Sequence, residues 1–244
     1  MTTVAPGRSR DRAASVRLLG GVTTTAAVLA AALLAGLDLL LGLPPGVGST
    51  ISAYVFTDGE WAFQLAIAAL IIGCAALVAG VIRARLATAR SFGTVLLLIA
   101  GISLVVLLVF PKTDWSQGDS WHGQLHRLAS LVAFIGAPLG IIALAARRRA
   151  GESAAATALR RAALTLAVVA LLWLAPLVFA AARMVFGGPP WWHAVPLGLM
   201  ERGIVFSEIA ATAAMGLWLV ASTGARSAAK RLAGPAAATA PARP

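Results

Sequence analysis

The amino-acid sequence predicts an all-α integral membrane protein, a bundle of six transmembrane helices. Of its 244 residues, 59% are hydrophobic and only 12% are charged, about half the charged fraction of an average soluble domain. The mean hydropathy is +0.87. Apolar runs of about 20 residues, the length that crosses a hydrocarbon core of roughly 30 Å, recur along the chain. These observations exclude a water-soluble globule.

Gly-Pro clusters divide the apolar runs: GLPPG follows the first, FP the third and GGPP the fifth. Helices end at such clusters because proline lacks a backbone N–H group, and irregular backbone is solvated only outside the hydrocarbon. Pro138 and Pro176 fall inside spans, so we expect kinks in the fourth and fifth helices. The expected spans are about 18–42, 61–82, 92–110, 125–146, 162–182 and 200–222.

The segments outside this transmembrane domain (18–222) are two tails, 1–17 and 223–244. Both are small, polar or proline-rich, as in GPAAATAPARP, and this composition is typical of disorder. The first apolar run follows basic residues, as in a secretory signal. It is longer than a signal sequence requires and no convincing cleavage site follows it, so we interpret it as a retained helix.

The distribution of basic residues predicts the orientation. Most of the 20 lysines and arginines lie in the two tails, in RARLATAR (83–90) and in the connection that begins with Arg147. These segments alternate with the other connections and therefore share one side of the membrane. Basic connections remain in the cytoplasm, so both termini are expected there, in the bacterial inner membrane. The net charge of +11 is thus a topology signal, and no nucleic-acid partner is expected.

Ionisable side chains recur at the outer ends of three expected spans. An unpaired charge facing lipid costs several kcal/mol, so we expect these groups to converge inside the bundle. These groups form either a structural ion-pair network or the lining of a ligand site. Asp114 and Arg183 are expected to belong to the same site. The six intramembrane groups are Asp38, His126, Arg127, Glu201, Arg202 and Glu208.

Helical spacing predicts particular contacts within this group. Glu201 and Glu208 are seven residues apart and therefore lie on one helix face, about 10 Å apart along the axis. Arg127 is the preferred counter-charge for Glu208. Arg202 is expected beside Glu201, Asp38 or Asp114.

A metal site is the alternative use of the histidines. His122 and His126 have the i, i+4 spacing of zinc ligands, and Asp114, Glu201 or His193 could complete the set. The adjacent glutamate of thermolysin-like motifs is missing. The sequence therefore favours no cofactor, with zinc as the alternative.

The segments FPKTD and GLMER, with the histidine between them, resemble motifs of the bacterial membrane family catalogued as domain of unknown function 998. Members of that family have six spans, and no activity is established for it. The resemblance thus implies an architecture and a choice of site residues. Two residues separate proline from aspartate here, and a glutamate stands where glutamine is common. The matching positions are Phe110, Pro111, Asp114, His126, Gly198, Leu199, Glu201 and Arg202.

Three functions remain open from the sequence. The first is binding or transport of a small polar ligand or a lipid headgroup in an outward-facing polar pocket. The second is metal-dependent hydrolysis of a lipid, resembling the ceramidase-like enzymes, and the third is a non-catalytic scaffold or regulator. Membrane lipids are expected partners in each case. An anionic group would meet Arg127, Arg183 and Arg202, and a cation would meet Asp38, Glu201 and Glu208.

Overall fold

The computed structural model describes most of the chain, with short gaps in the connections and at the two termini. The described residues are 6–43, 50–114, 118, 120–147, 151–190 and 194–232.

Six long α-helices account for most of this chain, and each is long and apolar enough to cross a membrane. The predicted six-helix membrane fold is therefore confirmed. A short 3₁₀ helix (Ile51–Phe56), which the sequence did not indicate, lies between the first two. The helices are α1 (Pro6–Leu40), α2 (Glu60–Arg83), α3 (Phe92–Val109), α4 (Trp121–Ala145), α5 (Ala154–Val185) and α6 (Leu197–Leu232).

Local sequence signals explain several of these boundaries. Ser120 and Ser153 cap α4 and α5, because each hydroxyl accepts a hydrogen bond from the backbone N–H group three residues later. Gly187 ends α5 with a positive φ of 83°, a conformation that glycine adopts without steric cost. Pro138 and Pro176 both lie within their helices, as expected.

The two predicted tails are partly helical instead. The first helix begins at Pro6, so residues 6–17 are not a disordered tail, and α6 continues through residues 223–232. The hydropathy pattern did not predict these extensions. Arginine and alanine both favour helix formation, but arginine lowers the hydropathy by which the spans were located. The last part of the C-terminal tail, 233–244, lies outside the described residues.

The first and last helices pack against each other in opposite directions. Helix α1 also contacts α2, and α6 also contacts α5, while α3 packs on α4. The start of α1 thus lies beside the end of α6. We name the two ends of the bundle by their acidic residues: the Asp38 end holds the end of α1 and the start of α6, and the Glu152 end is opposite.

Two glycines bring α1 and α6 into backbone contact. A Cβ atom on Gly216 would lie 2.7 Å from the carbonyl oxygen of Gly20, and one on Gly20 would lie 2.6 Å from that of Gly216. Small residues allow this close approach in membrane bundles, where packing drives helix association. The Thr24 hydroxyl also donates to the Ala213 carbonyl oxygen at 3.3 Å across the same contact.

We expect the Gly216→Ala substitution to destabilise the protein by about 1–3 kcal/mol, because the added methyl group has no space at this crossing. The measurement is thermal melting of the detergent-purified protein. Gly21→Ala is the matched control, since a Cβ atom there meets no atom within 4 Å. Equal melting temperatures for the two variants would contradict the close contact.

Candidate functional site

An ion pair between α1 and α6 lies at the centre of the Asp38 end. The Asp38 carboxylate accepts two hydrogen bonds from the Arg202 guanidinium, from Nη2 at 2.7 Å and from Nε at 2.9 Å. This bidentate geometry is the strongest form of the pair. A further guanidinium nitrogen, Nη1, donates to the Gly198 carbonyl oxygen at 3.0 Å. Of the three partners predicted for Arg202, Asp38 therefore forms an ion pair with it.

Tyr54 completes this cluster from the 3₁₀ helix. Its side chain is buried, and its hydroxyl lies 2.6 Å from Asp38 Oδ1 and 2.7 Å from the Gly42 carbonyl oxygen. Burial and the Asp38 carboxylate raise the pKa of Tyr54 to about 12, so the phenol remains a hydrogen-bond donor at neutral pH. Tyr54 was not among the site residues predicted from the sequence.

Glu201 and Lys112 form a second group beside this pair. Glu201 Oε2 accepts a hydrogen bond of 2.7 Å from the Ile51 backbone N–H group, which binds the start of α6 to the 3₁₀ helix. Lys112 donates to the Thr50 hydroxyl at 2.6 Å. Burial lowers the pKa of Lys112, while the negative charge of Glu201 opposes that shift.

His126 joins α4 to the end of α3. It is 5% exposed, and its Nδ1 atom lies 3.0 Å from the Phe110 carbonyl oxygen. A carbonyl oxygen only accepts hydrogen bonds, so Nδ1 is the nitrogen that carries the proton. Arg127 follows His126 in the chain but is exposed and donates from Nε to the Gly123 carbonyl oxygen at 3.3 Å.

Glu208 lies deeper, on the face of α6 that also carries Glu201. This face is buried, since Ile204, Ala211 and Met215 are each 0% exposed. The Glu208 Oε1 atom is inaccessible, and it has no hydrogen-bond partner among the residues that the structure describes. The Ser222 hydroxyl shares this property at the Glu152 end, but a neutral hydroxyl costs less to bury than a carboxylate.

The predicted pairing of Arg127 with Glu208 is wrong, because no ion pair joins them within the described part of the chain. Successive residues on a helix point about 100° apart. Once His126 faces the bundle interior, Arg127 therefore points to its surface. Asp114 is also exposed. Arg183 lies at the end of α5 and lines a separate cavity, described below.

The expected metal ligands are only partly described. His122 is exposed and its ring stacks on Trp121 with a centroid distance of 3.7 Å. His193 lies outside the described residues. Among the residues that are described, no three His, Cys, Asp or Glu side chains are close enough to hold one metal ion. Zinc therefore gains no support from the geometry.

A second polar cluster, which the sequence did not predict, lies at the Glu152 end. Glu152 accepts hydrogen bonds from Arg160 Nε at 3.0 Å and from Trp218 Nε1 at 2.8 Å. Arg160 also donates from Nη1 to the Ala145 carbonyl oxygen at 2.6 Å. The basic residues of this connection had been interpreted only as topology signals, but Arg160 is 5% exposed. The cluster joins α4, α5 and α6.

The hydrogen bonds around Glu152 determine its titration. Burial alone would raise the pKa of the Glu152 carboxyl group. The hydrogen bonds from Trp218 and Arg160, with the charge of Arg160, outweigh burial and lower that pKa. The ionised form is therefore the one that stabilises this end of the bundle.

The fold and these clusters define a class: a multi-pass membrane protein with six helices and a polar cluster at each end. The profile of the family described as "Protein of unknown function (DUF998)" matches residues 43–218, most of the chain, so the chain belongs to that family. No curated protein and no solved structure matches it. The matched region includes Tyr54, Arg202 and Glu208, whereas Asp38 precedes it.

Each motif that first suggested this family supplies a backbone carbonyl oxygen to an ionisable side chain. The carbonyl oxygen of Phe110, from FPKTD, binds His126. The carbonyl oxygen of Gly198, from GLMER, binds Arg202 of the same motif. Both motifs therefore orient ionisable side chains at the Asp38 end.

We expect Asp38→Ala to destabilise the protein by roughly 3 kcal/mol, because it leaves the largely buried Arg202 guanidinium without its carboxylate. Thermal melting in detergent measures the loss, and Asp58→Ala, which removes an exposed carboxylate, is the control. The double substitution of Asp38 and Arg202 to alanine should recover part of the loss. A double variant as unstable as the sum of the two single variants would argue against direct coupling.

Glu152→Gln should lower stability at neutral pH by about 1–3 kcal/mol, since it removes the charged acceptor of the hydrogen bonds from Arg160 and Trp218. The folded-state pKa of Glu152 is lowered, so its contribution is present above the ordinary value of 4.5 and is lost as pH falls through the folded pKa. Melting curves of both proteins between pH 7 and 3 should therefore converge below about pH 4.5. A constant difference over this range would refute the assignment.

Proposed function

We propose that this protein binds a small polar ligand within the membrane at the Asp38 end, and that the ligand presents a cationic group to Glu208. The observation that carries the proposal is the buried Oε1 atom of Glu208, which has no hydrogen-bond partner among the described residues. It is an acceptor without a donor at membrane depth. Placing an ionisable side chain inside a membrane costs free energy, and such residues usually have a functional role.

The neighbouring charges support a cationic ligand over an anionic one. The guanidinium of Arg202 is shared between Asp38 and the Gly198 carbonyl oxygen, and Glu201 is bonded to the backbone of Ile51. Arg127, the other basic residue expected here, is exposed on α4. An anionic group in the interior would have to displace Asp38 from its bidentate pair. A cation at Glu208 displaces no described contact.

The expected orientation of the bundle supports access from the Asp38 end. At the opposite end, the Glu152 cluster ties three helices together with hydrogen bonds to both of its carboxylate oxygens. By the distribution of basic residues, the Asp38 end faces outward and both termini lie in the cytoplasm of a bacterium. A ligand would therefore reach Glu208 from the outer side of the membrane. Transport would additionally require the hydrogen bonds of the Glu152 cluster to open.

The test compares Glu208→Gln with Glu60→Gln, which alters an exposed glutamate bonded to Gln64 at the start of α2. Methylammonium, choline and sodium chloride are the probes, and thermal melting of the purified protein is the measurement. A probe at 100 times its Kd should stabilise the wild type by about 2.7 kcal/mol. The Glu60→Gln variant should respond like the wild type, and Glu208→Gln should abolish the response.

A further variant separates ligand binding from structure. Glu208→Met replaces the unpartnered carboxylate with an apolar side chain of similar volume, so we expect it to stabilise the unliganded protein by roughly 1–3 kcal/mol while it abolishes cation binding. If no probe cation shifts the melting temperature of the wild type, or if Glu208→Gln still responds, the proposed function fails. Destabilisation by Glu208→Met would instead indicate a structural role.

A further inference from the structure

A cavity of about 380 Å³ lies at the C-terminal end of α5, apart from the Asp38 cluster and from Glu208. Two aromatic side chains, one arginine and a glycine turn form its walls. Pockets for small ligands range from about 300 to 1,000 Å³, so this one suits a compact group. The lining residues are Phe179, Ala182, Arg183, Phe186, Gly187 and Gly188.

A glycine turn forms part of the cavity lining. The Gly188 N–H group donates to the Arg183 carbonyl oxygen at 2.9 Å, and Gly187 has a φ of 83°. A Cβ atom on Gly188 would lie 2.8 Å from that same oxygen, so a larger residue does not fit there. The backbone therefore turns tightly after Arg183, and the Gly188 N–H group and the Arg183 carbonyl oxygen already bond to each other.

The charge in the cavity is unbalanced. Arg183 is exposed, and its guanidinium has no ion-pair partner within the described ranges of the chain. The two buried or largely buried arginines described above, Arg160 and Arg202, are each bound to a carboxylate. Arg183 is thus available to an external anion, unlike the arginines of the interior.

The two phenylalanine side chains that line the cavity are exposed at the surface of the bundle. Phe179 is 66% exposed and Phe186 is 88% exposed, and the adjacent Val178 and Val185 are 59% and 80% exposed. In a membrane, such side chains contact lipid. A cation beside lipid-facing aromatic rings at the end of a transmembrane helix complements a molecule with an anionic head and hydrocarbon chains.

Arginine at a helix end also has a simpler explanation, since its side chain can extend to the headgroup region and bind nothing specific. Arg183 differs because it lines a concave surface together with two aromatic side chains. A concave site can distinguish one headgroup from another, whereas a solvated arginine on a convex helix surface cannot. The two explanations therefore predict different lipid selectivity.

We propose that this cavity binds the phosphate of an anionic membrane phospholipid through Arg183, with the lipid chains against Phe179 and Phe186. The site is independent of the cation site at Glu208. Its ligand is held by charge and hydrogen bonds at the phosphate and by apolar contact along the chains. The planar guanidinium can donate two hydrogen bonds to one phosphate group.

Native mass spectrometry of the full-length protein in detergent tests this proposal, with phosphatidylglycerol or phosphatidylcholine of identical acyl chains as the probe. The wild type should bind phosphatidylglycerol about fivefold more tightly than Arg183→Gln does, the effect of one basic residue near an anionic lipid. Arg90→Gln, which removes an exposed arginine between α2 and α3, should bind like the wild type. Phosphatidylcholine should not distinguish these proteins.

A second variant tests the cavity without changing the charge. Ala182→Phe should fill the space beside Arg183 and weaken phosphatidylglycerol binding about as much as Arg183→Gln does. Equal binding by Arg183→Gln and the wild type would overturn the proposal, as would an equal loss in Arg90→Gln or full binding by Ala182→Phe. If glycerol 3-phosphate bound as tightly as phosphatidylglycerol, the site would take free phosphate and not a lipid.

Discussion

The ion pair between Asp38 and Arg202 joins the first helix of the bundle to the last, and the other contacts at this end are arranged around it. A carboxylate or a guanidinium left alone in such a site costs several kcal/mol, so each side chain holds the other's helix in register. Tyr54 binds the same carboxylate, which attaches the connection between α1 and α2. Backbone contact at Gly20 and Gly216 lets the two helices remain close toward the opposite end.

The interior satisfies most of its polar groups locally, and this makes Glu208 informative. At one end Arg202 has its carboxylate, and at the other Glu152 accepts hydrogen bonds from Arg160 and Trp218. Glu208 lies between these clusters with a buried oxygen that no described residue binds. Arg183, for which the described residues supply no carboxylate, is instead exposed at the end of α5. The interior thus contains the carboxylate of Glu208, and the surface carries the guanidinium of Arg183. These two groups suit ligands of opposite charge.

Periodicity predicted part of the candidate site correctly. Glu201 and Glu208 lie on one buried face of α6, as their spacing of seven residues requires in any helix. Arg202 was expected beside one of three acids, and periodicity within α6 could not choose among them because the acids belong to other segments. Tyr54 and Glu152 were missed for a related reason. Both lie in connections between the long helices, where no helical repeat indicates which side chains face inward.

The sequence by itself determined that the chain forms six helices long and apolar enough to cross a membrane, because that property depends on composition and run length alone. It also showed that the charges near one end need partners. Only the tertiary structure decided which partners they have. His126 and Arg127 are neighbours in the chain, yet one is buried and the other exposed. That choice depends on how α4 is rotated against its neighbours, a property of the packed bundle that no single helix encodes.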